Sequence, residues 1–318
     1  MGLNVGVDGG GSKTHAVALT LDGEVAGRGD GPGASPHWIG VEASIDILDA
    51  AVLAATGGAE VSQSNVYLSG LDLDTEVDAY ATALYRVSWN GPGTVVANDL
   101  WALLRAGTES PDAVAVICGT GINAVGVRAD GATARFAALG PISGDWGGGS
   151  GLGEEALWHA ARAEDRRGPE TLLREVVLEG MGVGSIAELT EQLHFGTRAL
   201  TDLAVLSPGV FDAARRGDEV AGAIVDRQAD EVVAFARASL IRLDLLDREV
   251  PVVLGGGVIR AGDERMMARI AERLASDAPK AHLVLVSAPP IVGAGLLALE
   301  SAGASRAALD RARAALTR

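Results

Sequence analysis

The chain has 318 residues, 48% of them hydrophobic and 21% charged, and its 26 Lys and Arg against 42 Asp and Glu give a formal net charge of −16. This composition is typical of a folded globular protein, and the length suggests two domains. The negative charge disfavours binding to nucleic acid or to an anionic membrane surface, because phosphate groups would be repelled. A single cysteine, Cys118, excludes an intrachain disulfide, a cysteine-rich zinc site and a protein-held iron–sulfur cluster.

Neither end of the chain predicts a membrane or export signal. The N-terminus lacks the basic region and apolar stretch of a secretion signal. The uncharged stretch Ala281–Leu299 is long enough to span a bilayer, but Pro289 and Pro290 interrupt it, so we interpret it as part of the core. We therefore expect a cytoplasmic protein.

Hydrophobic periodicity in the first hundred residues predicts a β-meander followed by alternating strands and helices. An Asp22-Gly23 pair marks the turn between the second and third strands. The expected elements are strands over Leu3–Val7, Thr14–Leu21 and Val25–Gly27, a helix over Val41–Thr56, a strand over Val66–Leu68, a helix over Thr75–Val87, a strand over Thr94–Ala97 and a helix over Leu100–Ala106.

The second half repeats this order around a mainly helical block. The expected elements are strands over Asp112–Cys118, Asn123–Arg128 and Ala134–Leu139, helices within about 153–246, a strand over Val252–Leu254, a helix over Asp263–Ser276, a strand over His282–Val286 and a helix over Ile291–Ser301. Two such halves predict an α/β fold of two lobes with a cleft between them. We place the lobes at residues 1–110 and 111–318, with a final helix over Gly303–Arg318 that could pack on either lobe.

Glycine is in excess, with 43 residues, and it is clustered. Glycine clusters form turns and helix caps, but they also let backbone N–H groups approach phosphates closely. Gly6–Thr14 fails as a Walker loop because Ser12 stands where the second glycine is required. Gly119–Ala124 fits a relaxed dinucleotide fingerprint, yet a strand follows it where a helix is required. The clusters are Gly9–Gly11, Gly119–Gly121, Gly144–Gly153 and Gly255–Gly257.

What remains is a glycine loop between two antiparallel strands at the start of each half. Two such loops facing each other would hold the phosphates of one nucleotide through backbone N–H groups. Asp8, at the end of its strand, is placed to hold Mg²⁺ directly or through water. Lys13 beside the first loop suits phosphate charge, although a solvated hairpin lysine has the same spacing.

Asn98-Asp99 stands where a strand passes into a helix. Both residue types are favoured at helix N-caps, so the pair predicts a cap. A carboxylate at a strand end can also accept a hydroxyl proton during phosphoryl transfer, and with an ordinary pKa of about 4 it is ionised at neutral pH. The two roles are compatible.

In order along the chain, these motifs resemble the BadF/BadG-type ATPase family, and within it the N-acetylglucosamine kinases of the actin-like/hexokinase superfamily. The resemblance runs from about residue 3 to about residue 300 and rests on the ordered set: Asp8–Thr14, Ser35–Gly40, Asn98-Asp99, Cys118–Asn123, Gly144-Asp145 and Gly255–Gly257. It implies a two-lobe actin-like ATPase of duplicated ribonuclease H-like βββαβαβα units, with a helical insertion in the second lobe. A homodimer is common for this architecture, by analogy only.

The resemblance also implies roles for individual residues. Asp99 matches the catalytic carboxylate, and the loop Gly255–Gly257 matches the adenosine-side element. The implied phosphate- and ATP-binding residues are Gly9, Gly10, Gly11, Ser12, Lys13, Thr14, Gly119, Thr120, Gly121, Gly255, Gly256 and Gly257. The implied sugar-contacting residues are His37, Trp38, Asn98, Asp99, Asn123, Gly144 and Asp145, although His37-Trp38 also fits an aromatic lid on its own lobe.

The chain departs from these kinases at three places. Pro36 replaces the Asn that usually precedes His-Trp, Leu139 stands where the kinases place a Trp, and the loop Gly144–Gly153 is longer and richer in glycine. A site that loses hydrogen-bonding groups discriminates its ligand differently. The sequence therefore supports a sugar kinase more strongly than a kinase specific for N-acetylglucosamine.

The expected activity is transfer of the γ-phosphoryl group of Mg-ATP to a hydroxyl group, that on C6, of an amino sugar such as N-acetylglucosamine or glucosamine. The alternative is a non-catalytic ATP- or sugar-binding sensor, which Pro36 and Leu139 motivate. A third reading, an activator of 2-hydroxyacyl-CoA dehydratases, is disfavoured because such proteins share an iron–sulfur cluster held by cysteines of two subunits. Cys118 is better interpreted as a small buried hydrophobic residue.

Overall fold

The computed structural model describes residues 2–317, and the chain divides into two compact units. One comprises the chain up to Ala115 together with the segment from Val284 onward, and the other comprises Val116–Leu283. Our expected division assigned everything after residue 110 to the second lobe. The structure instead returns the C-terminal segment to the first unit, because its apolar helix packs there.

Each unit is built around a mixed α/β arrangement. Within residues 2–317 the strands are β1 (Leu3–Gly9), β2 (Lys13–Leu19), β3 (Val25–Pro32), β4 (Val61–Leu68), β5 (Val95–Asn98), β6 (Ala113–Cys118), β7 (Ile122–Val127), β8 (Thr133–Arg135), β9 (Val250–Gly255) and β10 (Ala281–Leu285). One sheet has the order β3-β2-β1-β4-β5 and the other β10-β9-β6-β7-β8. Both orders place the first strand of a meander at the centre, which confirms the predicted repeat of architecture.

The helices cover the sheets and fill the segment between β8 and β9. They are α1 (Pro36–Ile39), α2 (Val41–Thr56), α3 (Asp74–Ala83), α4 (Leu100–Gly107), α5 (Gly148–Glu164), α6 (Leu173–Met181), α7 (Ile186–His194), α8 (Ser207–Arg215), α9 (Glu219–Arg242), α10 (Gly257–Arg260), α11 (Glu264–Asp277), α12 (Pro290–Ser301) and α13 (Arg306–Leu316). Short 3-10 turns cover Leu84–Arg86, Gly140–Ser143 and Leu200–Leu206.

The first sheet is buried on both faces. A hydrophobic cluster lies on each face, and alternating residues of β1 and β2 contribute to one or the other, since successive side chains of a strand point to opposite faces. Val5, Val7, Ala16 and Ala18 belong to a cluster with α2, whereas Val17 and Leu19 belong to a cluster with α4, α12 and α13. The sheet is therefore the middle layer of the first unit.

The C-terminal segment is fixed to the first unit by packing and by charge. The uncharged stretch that we assigned to the core forms β10 and the helix α12, eight of whose residues are buried. Arg105 near the end of α4 bonds the Glu300 carboxylate at 2.6 Å, and Arg313 of α13 donates to the carbonyl of Ala106 at 2.9 Å. No helix among residues 2–317 combines the length and apolar character that crossing a bilayer requires.

Several predicted elements differ in extent from those observed: strands β3 and β4 are longer than predicted, and helix α3 ends earlier, at Ala83. Strand β8 ends at Arg135 rather than at Leu139, because Ala138 adopts a positive φ of 49° and a 3-10 turn begins at Gly140. The predicted glycine loop of residues 144–153 is helical from Gly148 onward. Because glycine is a weak helix former, the sequence did not predict a helix that begins at Gly148.

Replacing Gly293 with Ala is expected to destabilise the protein. Gly293 lies where α12 crosses α4, and an added Cβ would collide with the backbone of Ala102 and approach the backbone nitrogen of Ala106 to 2.7 Å. Intrinsic propensity favours Ala over Gly in a helix by about 1 kcal/mol, whereas overpacking costs about 1–3 kcal/mol. Urea unfolding should therefore show a lower midpoint for Gly293→Ala.

Gly91→Ala is the control, because an added Cβ at Gly91 meets nothing within 4 Å. Its unfolding free energy should stay within about 0.5 kcal/mol of the wild type. A Gly293→Ala variant as stable as the wild type would contradict the close packing of these two helices.

Candidate active site

The carboxyl ends of three strands meet at one edge of the first sheet. β1 pairs with β4 and β4 with β5, both in parallel. The hydrogen bonds continue just past the paired residues of these strands. The N–H of Ser69 donates to the carbonyl of Gly9 at 2.9 Å, and the N–H of Asp99 donates to the carbonyl of Leu68 at 3.2 Å. Parallel pairing therefore brings Asp8, at the end of β1, close to Asp99, just after β5, as a site at a strand edge requires.

The two carboxyl groups of this edge are perturbed in the same direction. Burial, with smaller contributions from the charges of Asp8 and Asp72, raises the pKa of Asp99 to about 7. Burial raises the pKa of Asp8 to about 6, although His15 and Lys13 oppose the rise. Asp99 thus differs from the ordinary carboxyl that we expected from the sequence, because the fold desolvates it beside two other carboxylates.

Asn98 and Asp99 divide the roles that the sequence left open. Asp99 stands at the N-cap of α4, but its side chain makes no cap hydrogen bond. The N–H of Leu100 donates instead to Oδ1 of Asn98 at 3.0 Å, and Nδ2 of Asn98 donates to Oδ1 of Asp72 at 2.9 Å. The main cap of the helix is thus the Asn98 side chain, while the N–H groups of Asp99 and Leu100 only partly offset the rise in the pKa of Asp99.

The first glycine loop, Gly9–Lys13, lies at the same edge. Its hairpin closes through the N–H of Gly10, which donates to the carbonyl of Lys13 at 2.9 Å. Trp38 is 58% exposed, and its ring covers the loop, since a Cβ added at Gly11 would lie 3.2 Å from it. The Thr14 hydroxyl donates to the carbonyl of Pro32 at 2.8 Å, so it supports β2 and β3.

His37 is hydrogen-bonded to a carboxylate that sequence reasoning missed. Its Nε2 donates to Oε1 of Glu76 at 2.7 Å, and its ring packs beside Gly70, whose added Cβ would lie 3.2 Å from Nδ1. Glu76 stands in the first turn of α3, where an acidic residue is a common cap. That position alone did not indicate a partner 39 residues away in sequence.

The second unit brings three glycine segments together. The N–H groups of Gly149 and Ser150, at the start of α5, donate to the carbonyls of Gly119 and Thr120 at 2.7 and 2.9 Å. Gly256 has a φ of +98°, and its added Cβ would collide with the backbone of Cys118. The predicted phosphate loop Gly119–Gly121 and the predicted adenosine-side loop are therefore in contact within this unit.

Cys118 lies inside this packing. It is buried, and burial raises the pKa of its thiol to about 12. A thiol in that state is neither a nucleophile nor a metal ligand at neutral pH. The structure confirms our interpretation of Cys118 as a small buried hydrophobic residue.

The predicted sugar-contacting residues of the second unit lie on two segments. Asn123 is in β7, where its Oδ1 accepts the N–H of Ala124 at 2.6 Å. Asp145 follows Gly144, which ends the 3-10 turn, and accepts the Ser143 hydroxyl at 2.5 Å. Leu139 lies near these residues in sequence, and its N–H donates to Oγ of Ser143 at 2.8 Å. The segment carrying Asp145 is thus tied together locally.

Trp146 anchors the same segment to two helices. Its Nε1 donates to Oε1 of Glu155 in α5 at 3.1 Å, and the guanidinium of Arg227 in α9 lies 3.9 Å from its ring centroid. These side chains line a cavity of about 360 Å³, together with Glu219, Val220, Ala223, Ile224 and His159. Sequence reasoning missed this cluster because Trp146 stood within an apparent glycine loop.

Comparison with known proteins identifies the family. The model of the BadF/BadG/BcrA/BcrD ATPase family matches residues 5–298. The chain is 28% identical over 316 residues to an N-acetyl-D-glucosamine kinase of Dictyostelium discoideum, covering 93% of this chain and 98% of that protein. It is 28% identical over 260 residues to an N-acetylmuramic acid/N-acetylglucosamine kinase of Clostridium acetobutylicum, covering 80% and 85%.

A solved structure from Chromobacterium violaceum, provisionally named an N-acetylglucosamine kinase, matches with a TM-score of 0.73 and 24% identity, over 94% of this chain and 99% of that one. This likeness confirms the fold class. The chain belongs to the BadF/BadG/BcrA/BcrD ATPase family, and that membership implies ATP as its nucleotide.

Asp99→Asn is expected to stabilise the unliganded protein at pH 8. The folded state raises the pKa of Asp99 from 3.8 to about 7, so it binds more protons than the unfolded state between those values. The contribution of Asp99 to stability is therefore full below about pH 4 and is lost as the pH rises through 7. Removing the ionisable group should raise the unfolding free energy at pH 8 by about 1 kcal/mol or more.

Urea unfolding at pH 5 and pH 8, without nucleotide or divalent cation, measures this effect. Asp78→Asn, at an exposed position of α3, is the control and should show equal small changes at both pH values. If Asp99→Asn were destabilised at pH 8 relative to pH 5, the carboxyl group would not be desolvated as described.

Proposed function

We propose that this member of the BadF/BadG/BcrA/BcrD family is an ATP-dependent kinase that phosphorylates a hydroxyl of an amino sugar, with the C6 hydroxyl as acceptor. The observation that carries the proposal is the pair of desolvated carboxyl groups, Asp8 and Asp99, beside a glycine loop at one sheet edge. The names of the two curated relatives support an N-acetylated amino sugar as substrate.

Asp99 has the properties of the residue that orients the acceptor hydroxyl and takes its proton. A general base works best when its pKa is close to the working pH, and burial brings the pKa of Asp99 to about 7. Its side chain makes no cap hydrogen bond to α4. The sugar hydroxyl would donate to this carboxylate while its oxygen attacks the γ-phosphorus of ATP.

Asp8 fits a Mg²⁺ site of the kind found in phosphoryl-transfer enzymes. Such ions take one or two protein carboxylates and complete their shell with phosphate oxygens and water. We assign Asp8, at the end of β1, as a protein carboxylate of this site, acting directly or through water. A bound Mg²⁺ would supply charge stabilisation for the transferring phosphoryl group.

Backbone donors would bind the nucleotide. In the first unit these are the N–H groups of the loop from Gly9 to Thr14 other than that of Gly10, which closes the hairpin, with Ser12 and the exposed Lys13 at its tip. In the second unit they are those of Thr120 and Gly121, since the N–H of Gly119 donates to the carbonyl of Gly121, while Gly255–Gly257 with α10 would contact the adenosine side. The contact between the two second-unit segments supports this assignment.

Each unit carries candidate sugar-contacting residues. In the first unit we assign Trp38, Asn98 and Asp99, with His37 oriented by Glu76. In the second unit we assign Asn123, Gly144 and Asp145. Pro36 is buried as the first residue of α1, and its side chain offers no hydrogen-bonding group, so it cannot help to discriminate the sugar through a side-chain hydrogen bond.

A panel of sugars with Mg-ATP tests the activity. We expect ADP release that depends on N-acetylglucosamine or glucosamine, with kcat/KM for one of them at least about tenfold above that for glucose. Coupled detection of ADP against glucose, N-acetylmannosamine and N-acetylmuramic acid measures this. Calorimetric binding of a sugar without turnover across the whole panel would identify the protein as a sensor instead.

Asp99→Asn is expected to lower kcat by about 10²–10⁴ with the preferred sugar, because the amide cannot accept the hydroxyl proton. The dissociation constant for ATP should change by less than about threefold. In the wild type, kcat/KM should fall as the pH drops below about 7, since protonation of Asp99 removes the base. Near-wild-type turnover by a folded Asp99→Asn variant would refute the assignment.

A further inference from the structure

A chain of hydrogen bonds in the first unit starts at the segment that carries Trp38. Nε2 of His37 donates to Oε1 of Glu76 at 2.7 Å. The other carboxylate oxygen, Oε2, accepts the N–H groups of Asp72 and Leu73 at 3.0 and 2.9 Å. One carboxylate thus binds the His37 side chain and the backbone of the loop between β4 and α3.

The same loop binds the residue that precedes the proposed catalytic carboxylate. Oδ1 of Asp72 accepts Nδ2 of Asn98 at 2.9 Å, and Oδ1 of Asn98 accepts the N–H of Leu100 at 3.0 Å. Asn98 is only 6% exposed, so water competes little for these bonds. Asp99 lies between Asn98 and Leu100 in the chain, so the hydrogen bonds of the Asn98 side chain to Asp72 and Leu100 fix its main-chain position.

We propose that Asp72 and Glu76 are positioning residues, which connect the segment of His37-Trp38 to that of Asn98-Asp99 through hydrogen bonds. This relay, His37–Glu76–Asp72–Asn98, rests on the proposed function for its catalytic consequence. Its geometry is a property of the first unit alone. Neither Asp72 nor Glu76 contacts the reacting atoms in this proposal; they act through Asn98 and His37.

The charges along the relay agree with this role. The N–H of Leu73 and the hydrogen bond from His37 hold the pKa of Glu76 below its ordinary value, against partial desolvation. Glu76 is therefore ionised at neutral pH and accepts from all three donors at once. Burial raises the pKa of Asp99, and the charges of Asp8 of β1 and of Asp72 add to the rise; Lys13 and His15 of β2 lie beside Asp8.

The relay has two separable effects on Asp99, one through the hydrogen bond to Asn98 and one through charge. Asp72→Asn keeps an oxygen that can accept from Asn98 but removes the charge. Asp72→Ala removes both. A residue that merely braces the loop would show neither the rescue by Asn nor a change in the pH profile.

Steady-state kinetics with the preferred sugar test the relay. Asp72→Ala should lower kcat by about tenfold or more, since small displacements of a catalytic group are costly, with KM for ATP within about twofold. Asp72→Asn should recover most of kcat while the acid limb of kcat/KM moves to lower pH. Glu76→Ala should raise KM for the sugar by a larger factor than it lowers kcat, because it releases His37 first.

Asp78→Asn is the matched control on α3 and should leave all three parameters unchanged, because Asp78 is exposed on the same helix and belongs to no part of the site. Unchanged kcat in Asp72→Ala would overturn the proposal. So would an Asp72→Asn variant with the same kcat as Asp72→Ala and an unmoved acid limb.

Hydrogen exchange tests the relay without any activity. Glu76→Ala should accelerate exchange in the peptide of residues 35–40, which it contacts, and also in residues 98–104, which it does not contact. Acceleration limited to the direct partners of Glu76 would overturn the relay. If the wild type phosphorylates no sugar, the proposed function fails, whereas this exchange experiment still decides whether the two segments are coupled.

Discussion

The parallel pairing of β1, β4 and β5 is the constraint on which the candidate site depends. Because the three strands run in the same direction, each delivers the residues that follow it to one edge of the sheet. Asp8, the loop carrying Asp72, and Asp99 meet there although their like charges repel. The hydrophobic clusters on both faces of the sheet supply the stabilisation that overcomes this repulsion.

The same geometry explains why the pKa of Asp99 is raised. An isolated surface aspartate is ionised at neutral pH and is a weak base. Asp99, desolvated and beside Asp8, is balanced near neutrality. The buried carboxyl group lowers the stability of the folded state and raises the pKa of Asp99. Such a loss of stability together with a perturbed pKa is common at functional sites.

Local patterns predicted much of the fold, but not the partners of its elements. Period-two and helical patterns, with glycine and Asp-Gly turns, gave the repeated strand order because those signals lie within single elements. The packing of α12 on α4 depends on Gly293 meeting the backbone of Ala102, a contact 191 residues away in sequence that no local pattern encodes. For the same reason the sequence could place Asp99 at the end of a strand, whereas it could not indicate the contacts of Glu76 with His37 and of Asp72 with Asn98, which join residues far apart in the chain.

The two glycine loops share a feature that neither sequence motif reveals. In the first, the carbonyls of Gly9 and Gly10 accept the N–H groups of Ser69 and Ala34 at 2.9 and 3.0 Å. In the second, the carbonyls of Gly119 and Thr120 accept N–H groups from α5. Phosphate oxygens can only accept hydrogen bonds, so a phosphate loop must present donors and must satisfy its own acceptors elsewhere. Each loop also satisfies one carbonyl internally, because the N–H of Gly10 donates to the carbonyl of Lys13 and the N–H of Gly119 to that of Gly121, both at 2.9 Å. The proposed phosphate donors are therefore the remaining N–H groups of each loop.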